Sequence, residues 1–519
     1  MSLYRNFLNV GVLTLGSRIL GFVRDMLVAI LLGVGPAADA YFAAFRFPNL
    51  FRRLFAEGAF NTAFIPLFAR SLEQEGMEAA RLWAARILSW LVAVVTVVTV
   101  LVEIFMPWVL MPFVPGFLDD PAKYDLTVLL TRICFPYLMC MSLMAAYAAI
   151  LNGLGRFTAS AFAPILLNIV MIVFMAPLVL WANTDVQTAV WIAVGTLAGG
   201  VAQLWLVYAA VRRANFVPKL QWPRFDSDVR RFWALAVPAV LTGGITQINI
   251  FVGTIIASGA DSAISYIYYA DRLYQLPLGI IGIAIGTVLL PELARHLKGG
   301  REAEARAAQD QSLVLSMLLS MPAATALIAL ATPIVRVLYE RGAFDATATF
   351  ETANTLIAFS AGLPAYVLIR VLQPGFFARE DTVTPTIFAA ISAVINIGLS
   401  VLLFPGLQHV GIAIATSAAA WANALLLALW LYRRGHLVMS AADWRRHALI
   451  VAVSLVMAAG LYALALQLTG VFAASAPFVL QLIALGALIA LGMVAYFALA
   501  HVTGAQPMGQ LLRRLRRAK

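Results

Sequence analysis

Long apolar runs follow one another along this chain, about fourteen of them with roughly 20 or more residues each, and the longest polar interval runs only from Arg212 to Arg231. Hydrophobic residues make up 62% and charged residues 12%, against roughly 25% charged in an ordinary soluble domain. None of the 519 residues falls in a stretch suited to an independent soluble domain. In hydrocarbon each backbone N–H and C=O needs an internal partner, so runs of this length are expected as helices. The expected spans are roughly 7–33, 37–70, 83–111, 125–151, 157–181, 186–211, 231–257, 262–295, 309–338, 348–378, 383–404, 409–433, 446–469 and 473–502. This describes an all-α polytopic membrane protein with about 14 transmembrane helices. The second and eighth spans are long and interrupted by Pro48, Pro66, Pro277 and Pro291, so kinks, tilt or extension beyond the bilayer are expected there.

The net charge of +11 is mostly topology. With the N-terminus inside, 25 of the 36 Lys and Arg residues fall in cytoplasmic segments, eight lie within spans, and only Lys123, Arg336 and Arg341 fall outside. By the positive-inside rule both termini are expected in the cytoplasm, and nucleic acid is not an expected partner. The first apolar run continues through Arg18 and Arg24 with no cleavage site after a short hydrophobic region, so it is expected to remain as a span. Cys134 and Cys140, six residues apart on one helix, point in different directions and read as small core residues. The five histidines sit at or near segment ends, which supports no metal site and no mid-membrane histidine relay.

The first two spans nevertheless hold Arg18, Arg24, Asp25, Asp39, Arg46, Arg52, Arg53 and Glu57. Arg18 lies eleven residues past Phe7, which is ~16 Å into a hydrocarbon core of about 30 Å. A charge at that depth costs at least roughly 2.5 to 3.5 kcal/mol, so such residues face a protein interior or a wet cavity. Arginines outnumber carboxylates, which makes the expected cavity cationic. Steps of seven, seven and four residues put Asp39, Arg46, Arg53 and Glu57 on one face of an ideal helix. Arg132 and Arg370 lie toward span ends and are expected to reach the headgroups, and Arg46 either does the same or pairs with Asp39. Surplus guanidiniums in a wet cavity suit a multivalent anion such as pyrophosphate, which they grip in bidentate fashion.

An internal repeat appears at the same segments. AFRFPNL through FIPLFAR echoes ADRLYQLPL through LLPELAR, with Arg46 and Arg272 equivalent at an offset of 226 residues. At that offset Asp39 stands opposite Ser265, Arg18 opposite Gly244 and Arg52 opposite Leu278. The charges of the first repeat are therefore not required by the fold alone. The expected domains are an N-lobe of six helices at 1–212, a cytoplasmic linker at 213–230, and a C-lobe of six helices at 231–434. Two extra helices and a basic tail follow at 435–519. Parallel repeats flanking a site form a transporter architecture that works by alternating access. The tail LLRRLRRAK is expected on anionic headgroups. Neither a P-loop nor H-E-x-x-H nor a nucleophile elbow is present, so the chain reads as a transporter and not as an enzyme.

GSRILGFVRD, DAYFAAFRFPNLFRRLFAEGAFNTAFIP and ADRLYQLPLGIIGIAIGTVLLPELARH carry a resemblance over essentially the whole chain. With these motifs the sequence resembles the MurJ (MviN) family of lipid II flippases, within the multidrug/oligosaccharidyl-lipid/polysaccharide exporter superfamily. The resemblance implies that lipid II, an undecaprenyl-pyrophosphate-linked disaccharide-pentapeptide, crosses the bacterial inner membrane through a cationic central cavity. It also implies membrane lipids and the cell-wall synthesis machinery as partners, and a groove for the lipid tail in the last two helices. The family's essential charges match Arg18, Arg24, Asp39, Arg52 and Arg272, with Asp25 and Glu57 as supporting carboxylates. The helical wheel favours Arg53 where the family points to Arg52; Pro48 can shift the register, so Arg52 is taken for the site and Arg53 as a pair for Glu57. No cofactor is implied. The seventh span carries no carboxylate for a sodium site, which leaves another monovalent ion or the membrane potential as the driving force. Two alternatives stand beside this: a flippase for another undecaprenyl-linked glycan, and a cation-coupled multidrug antiporter.

Overall fold

A computed structural model describes residues 3–53, 60–181 and 184–505. Glu57 and the basic tail LLRRLRRAK lie outside the described residues. Among the described residues seventeen α-helices run in the order α1 (Leu3–Leu32), α2 (Pro36–Arg52), α3 (Asn61–Gln74), α4 (Met77–Leu110), α5 (Pro121–Cys134), α6 (Tyr137–Gly153), α7 (Thr158–Met175), α8 (Asp185–Arg213) and α9 (Ser227–Ala257), then α10 (Ala263–Lys298), α11 (Glu302–Ala329), α12 (Ala331–Tyr339), α13 (Ala346–Ser360), α14 (Leu363–Phe377), α15 (Val383–Arg433), α16 (Ala441–Gln467) and α17 (Phe478–Val502). Among the described residues, nine helical segments are long and apolar enough to cross a bilayer. The charge-bearing α1, α2 and α10 are not among them.

Several expected spans are broken where the backbone chemistry demands it. Of the span expected over 37–70, the described residues form α2 up to Arg52 and α3 from Asn61. The span at 125–151 divides at Phe135–Pro136, where proline lacks the N–H that would continue the ladder. The span at 348–378 divides at Ala361–Gly362, with Pro364 in the first turn of α14. The two spans expected at 383–404 and 409–433 are the halves of α15, which breaks at Gln408 with φ 45 and ψ −128. Asp381, in the turn before α15, accepts from the Thr384 N–H at 2.9 Å, and this bond holds its carboxyl below the usual range.

The chain forms two compact units, one comprising residues up to Ser265 with Arg341–Phe344, the other Tyr266–Glu340 with the residues from Asp345 onward. In the first unit α9 packs on α3 and α4. Its Phe232 joins a core of Phe60, Phe64, Phe68, Trp83 and Phe216, with the Phe60 and Phe232 ring centroids 5.5 Å apart. This burial holds α9 in the first unit, although its sequence repeat opens the second lobe. The polar interval before α9 is fastened along α4: Arg81 donates to Asn215 O at 2.6 Å, Trp90 to Arg224 O at 2.9 Å, and Arg86 meets Asp228 at 3.0 Å. In the second unit the core gathers Leu293, Leu313, Leu372, Phe376, Leu427 and Leu431. The Tyr496 hydroxyl donates to Leu318 O at 2.9 Å and ties α17 to α11.

Residues 341–344 lie directly on the end of α1, where Ala343 N donates to Ile30 O at 2.9 Å. Gly33 sits there at φ 60, in the left-handed region that favours glycine, and a Cβ would fall 2.2 Å from Ala343 O. Gly33→Ala is therefore expected to cost about 1–3 kcal/mol, read as a lower melting temperature of the detergent-purified protein. Gly460→Ala, facing open space in α16, is expected not to lower it. Indistinguishable melting curves for the two variants would contradict this account.

Candidate functional site

The second half of α1 carries a charge into the interior of the first unit. Gly21 lets α7 come close, so that a Cβ there would touch the Asn168 amide nitrogen at 3.4 Å. Asn168 in turn donates to Ser17 O at 3.0 Å. One turn along, Arg24 is 7% exposed and Asp25 2%. Arg24 donates to Asp25 Oδ1 through Nε at 3.0 Å and Nη2 at 2.7 Å, and through Nη1 to Asn168 Oδ1 at 3.0 Å. Its guanidinium is thus held in one orientation by groups on α1 and α7. Removing one partner from a buried pair of this kind strands the other charge and is costly.

Asp39, on the first turn of α2, is fully buried. It forms an ion pair with Lys123 at 2.9 Å and accepts from the Ser265 N–H at 2.9 Å and the Ser265 hydroxyl at 2.6 Å. Two helix N-termini, those of α2 and α10, present their positive ends to this carboxylate. Lys123 is itself 5% exposed and lies over the Phe117 ring at 4.1 Å, a favourable placement for a desolvated ammonium. Ser265 is the residue that the 226-residue repeat offset sets opposite Asp39, and the two equivalent positions touch.

Lys123 was not a site candidate from sequence, where it counted among the outside loops. The available signal was its sign: it is the one lysine among the three basic residues expected outside, where the positive-inside rule disfavours it. Asp39 thus lies with a lysine and a helix terminus, and Arg46 donates to Thr254 at 2.9 Å.

The other candidates are less buried. Arg18 is half-buried on α1, seven residues before Asp25, with no ion pair or hydrogen bond from its side chain among the described residues. Arg52 is half-buried and donates to Asn49 Oδ1 at 3.0 Å, while Arg53 is exposed. In the second unit Arg272, on α10, donates to the Tyr268 hydroxyl at 3.0 Å and stacks 4.8 Å over its ring. Its neighbour Asp271 accepts from Gln275. Arg132 and Arg370 are both exposed. Among the described residues no group of three or more His, Cys, Asp or Glu could hold a metal ion. The geometry places several guanidiniums, buried or half-buried, in an otherwise apolar protein, and a guanidinium is the side chain best suited to a multivalent anion.

The profile of the family "Lipid II flippase MurJ" matches residues 28–485. The probable lipid II flippase MurJ of Rhizobium tropici is 46% identical over 523 residues, covering 100% of this chain and 98% of the relative. The lipid II flippase MurJ of Burkholderia cenocepacia is 35% identical over 470 residues, covering 88% of this chain and 89% of the relative. Among solved structures, lipid II flippase MurJ in an inward closed conformation superposes with a TM-score of 0.79 at 26% identity, over 95% of this chain and 98% of that one. An inward-facing multidrug resistance MATE transporter of the MOP superfamily follows at 0.65 and 16% identity, over 80% and 94%, a likeness of fold.

Proposed function

Because the chain belongs to the lipid II flippase MurJ family, we propose that Arg18, Arg24, Arg52 and Arg272 receive the pyrophosphate of lipid II while Asp25, Asp39 and Glu57 balance them. The protein is a multi-pass transporter of the bacterial inner membrane that flips the lipid-linked peptidoglycan precursor. In this reading it has about fourteen spans and both termini in the cytoplasm, and the two six-helix repeats at 1–212 and 231–434 are the bodies that move in alternating access. The observation that carries the site assignment is Arg24, an intramembrane guanidinium oriented by Asp25 and Asn168. A guanidinium already fixed in orientation meets a pyrophosphate with little further ordering, the anion competing with Asp25 and Asn168 for its donors. Each charge-assisted hydrogen bond contributes about 1.5–3 kcal/mol.

The test is rescue of cells depleted of their own lipid II flippase, scored by outer-leaflet lipid II at matched expression. Arg18→Ala, Arg52→Ala and Arg272→Ala are each expected to reduce transport by roughly tenfold to a hundredfold while leaving the melting temperature close to that of wild type, since all three side chains are only half-buried. Full rescue by all three would remove the arginine mechanism and leave lipid II transport intact.

Coupling follows the same logic. From Arg231 to Ala257 the chain carries no carboxylate, so sodium has no acid to bind on that stretch, and the membrane potential resets the empty cationic site. Flipping in proteoliposomes is expected to survive replacement of sodium by choline and to fall when the potential is collapsed. The reverse pattern would assign the coupling to sodium.

A further inference from the structure

A cleft of about 800 Å³ opens in the second unit between α13, the middle of α15 and Ile328 of α11. It lies along segments apolar enough to cross the bilayer, and Ile357, Leu407, Ile414 and Trp421 give it apolar walls. Its volume is within the range of small-molecule sites. At one end two bonds pin α15 to α13 and the turn after it: Ser417 donates to Ala358 O at 2.6 Å, and Trp421 to Ala361 O at 2.9 Å. From His409 to Trp421 the wall of α15 rises ~18 Å at 1.5 Å per residue, the reach of an extended aliphatic chain.

The other end is polar, and the backbone is distorted to make it so. Gln408 departs from helical geometry at φ 45, a region that side-chain-bearing residues seldom occupy. The break directs His409 inward, where it is 4% exposed. Its ring lies against Tyr266 with centroids 4.6 Å apart, and its Nε2 is 3.3 Å from Glu351 Oε2. The Glu351 side chain keeps 34% of its surface open, so one face of the carboxylate looks into the cleft it lines. An apolar channel ending at a half-open carboxylate matches an amphiphile with a cationic head.

We propose that this cleft is a lipid site, taking an acyl chain of a bilayer glycerophospholipid between α13 and α15 and its primary-amine headgroup on the Glu351 carboxylate. The proposal rests on the transport reading only through the orientation, which makes the outer leaflet the source. His409 positions Glu351, and the Ser417 and Trp421 bonds set the depth of the cleft.

The test uses the delipidated full-length protein titrated with dioleoyl phosphatidylethanolamine or dioleoyl phosphatidylglycerol and read by native mass spectrometry. Wild type is expected to retain one phosphatidylethanolamine with roughly tenfold preference over phosphatidylglycerol. Glu351→Gln is expected to abolish that preference while still binding lipid, and Ile357→Trp, which puts an indole across the cleft beside Leu407 and Ile414, to abolish retention of both. If Ile357→Trp does not fold, the Glu351→Gln preference decides alone. Equal retention of the two lipids by wild type, an unchanged preference in Glu351→Gln, or displacement of the bound lipid by undecaprenyl pyrophosphate would each overturn the proposal. Failure of wild type to flip lipid II would overturn the transport reading and leave this binding result standing.

Discussion

Asp39→Ala is expected to destabilise the first unit by about 3–5 kcal/mol, the cost of removing one partner from a buried ion pair. The variant leaves the Lys123 ammonium, 5% exposed, without its carboxylate. It also leaves the Ser265 N–H and hydroxyl without their shared acceptor. Asp39→Ala combined with Lys123→Met removes the stranded charge and is expected to recover a large part of the loss, because replacing both ions by apolar groups is often neutral or better. Ser265→Ala removes one hydroxyl bond and is expected to cost only about 1 kcal/mol. Melting curves of the detergent-purified variants decide the matter. If Asp39→Ala melts like wild type, or the double variant is no better than the single, the pair is not what secures the starts of α2, α5 and α10.

Arg24→Ala is expected to abolish rescue of flippase-depleted cells and to lower stability by a similar amount, since Asp25, at 2% exposure, loses the guanidinium that donates to it twice. The two effects separate in Arg24→Ala with Asp25→Ala. The double variant is expected to regain much of the stability and none of the transport, because the site then lacks its oriented fork. Arg24→Lys keeps the charge but cannot donate to Asp25 and Asn168 in the same plane, and intermediate transport is expected. Transport by a stable double variant would show that Arg24 serves the fold and not the substrate.

Much of this protein was legible before any coordinates. Apolar length and low charge required membrane-spanning helices, and the arginines within the first two spans singled those spans out as a candidate site, because a charge in lipid is costly. The prolines singled out in the second and eighth spans lie inside α2, α3 and α10, and the sequence reading announced neither the division at Pro136 nor the turn at Gln408, which has no proline or glycine at the residue itself. The helical wheel was the weakest instrument. Glu57 lies outside the described residues, and Asp39 and Arg46, placed on one face, bind Lys123 and Thr254 from different helices.

By itself the sequence determined what had to be buried, which residues were too costly to leave in lipid, and, through motifs spread over the whole chain, the family. The tertiary structure alone decided the partners: Lys123 for Asp39 across 84 positions, Asn168 for Arg24 across 144. Periodicity within a helix reports the direction in which a side chain points. The group that meets it there belongs to another helix, brought up by packing whose contacts no local pattern records.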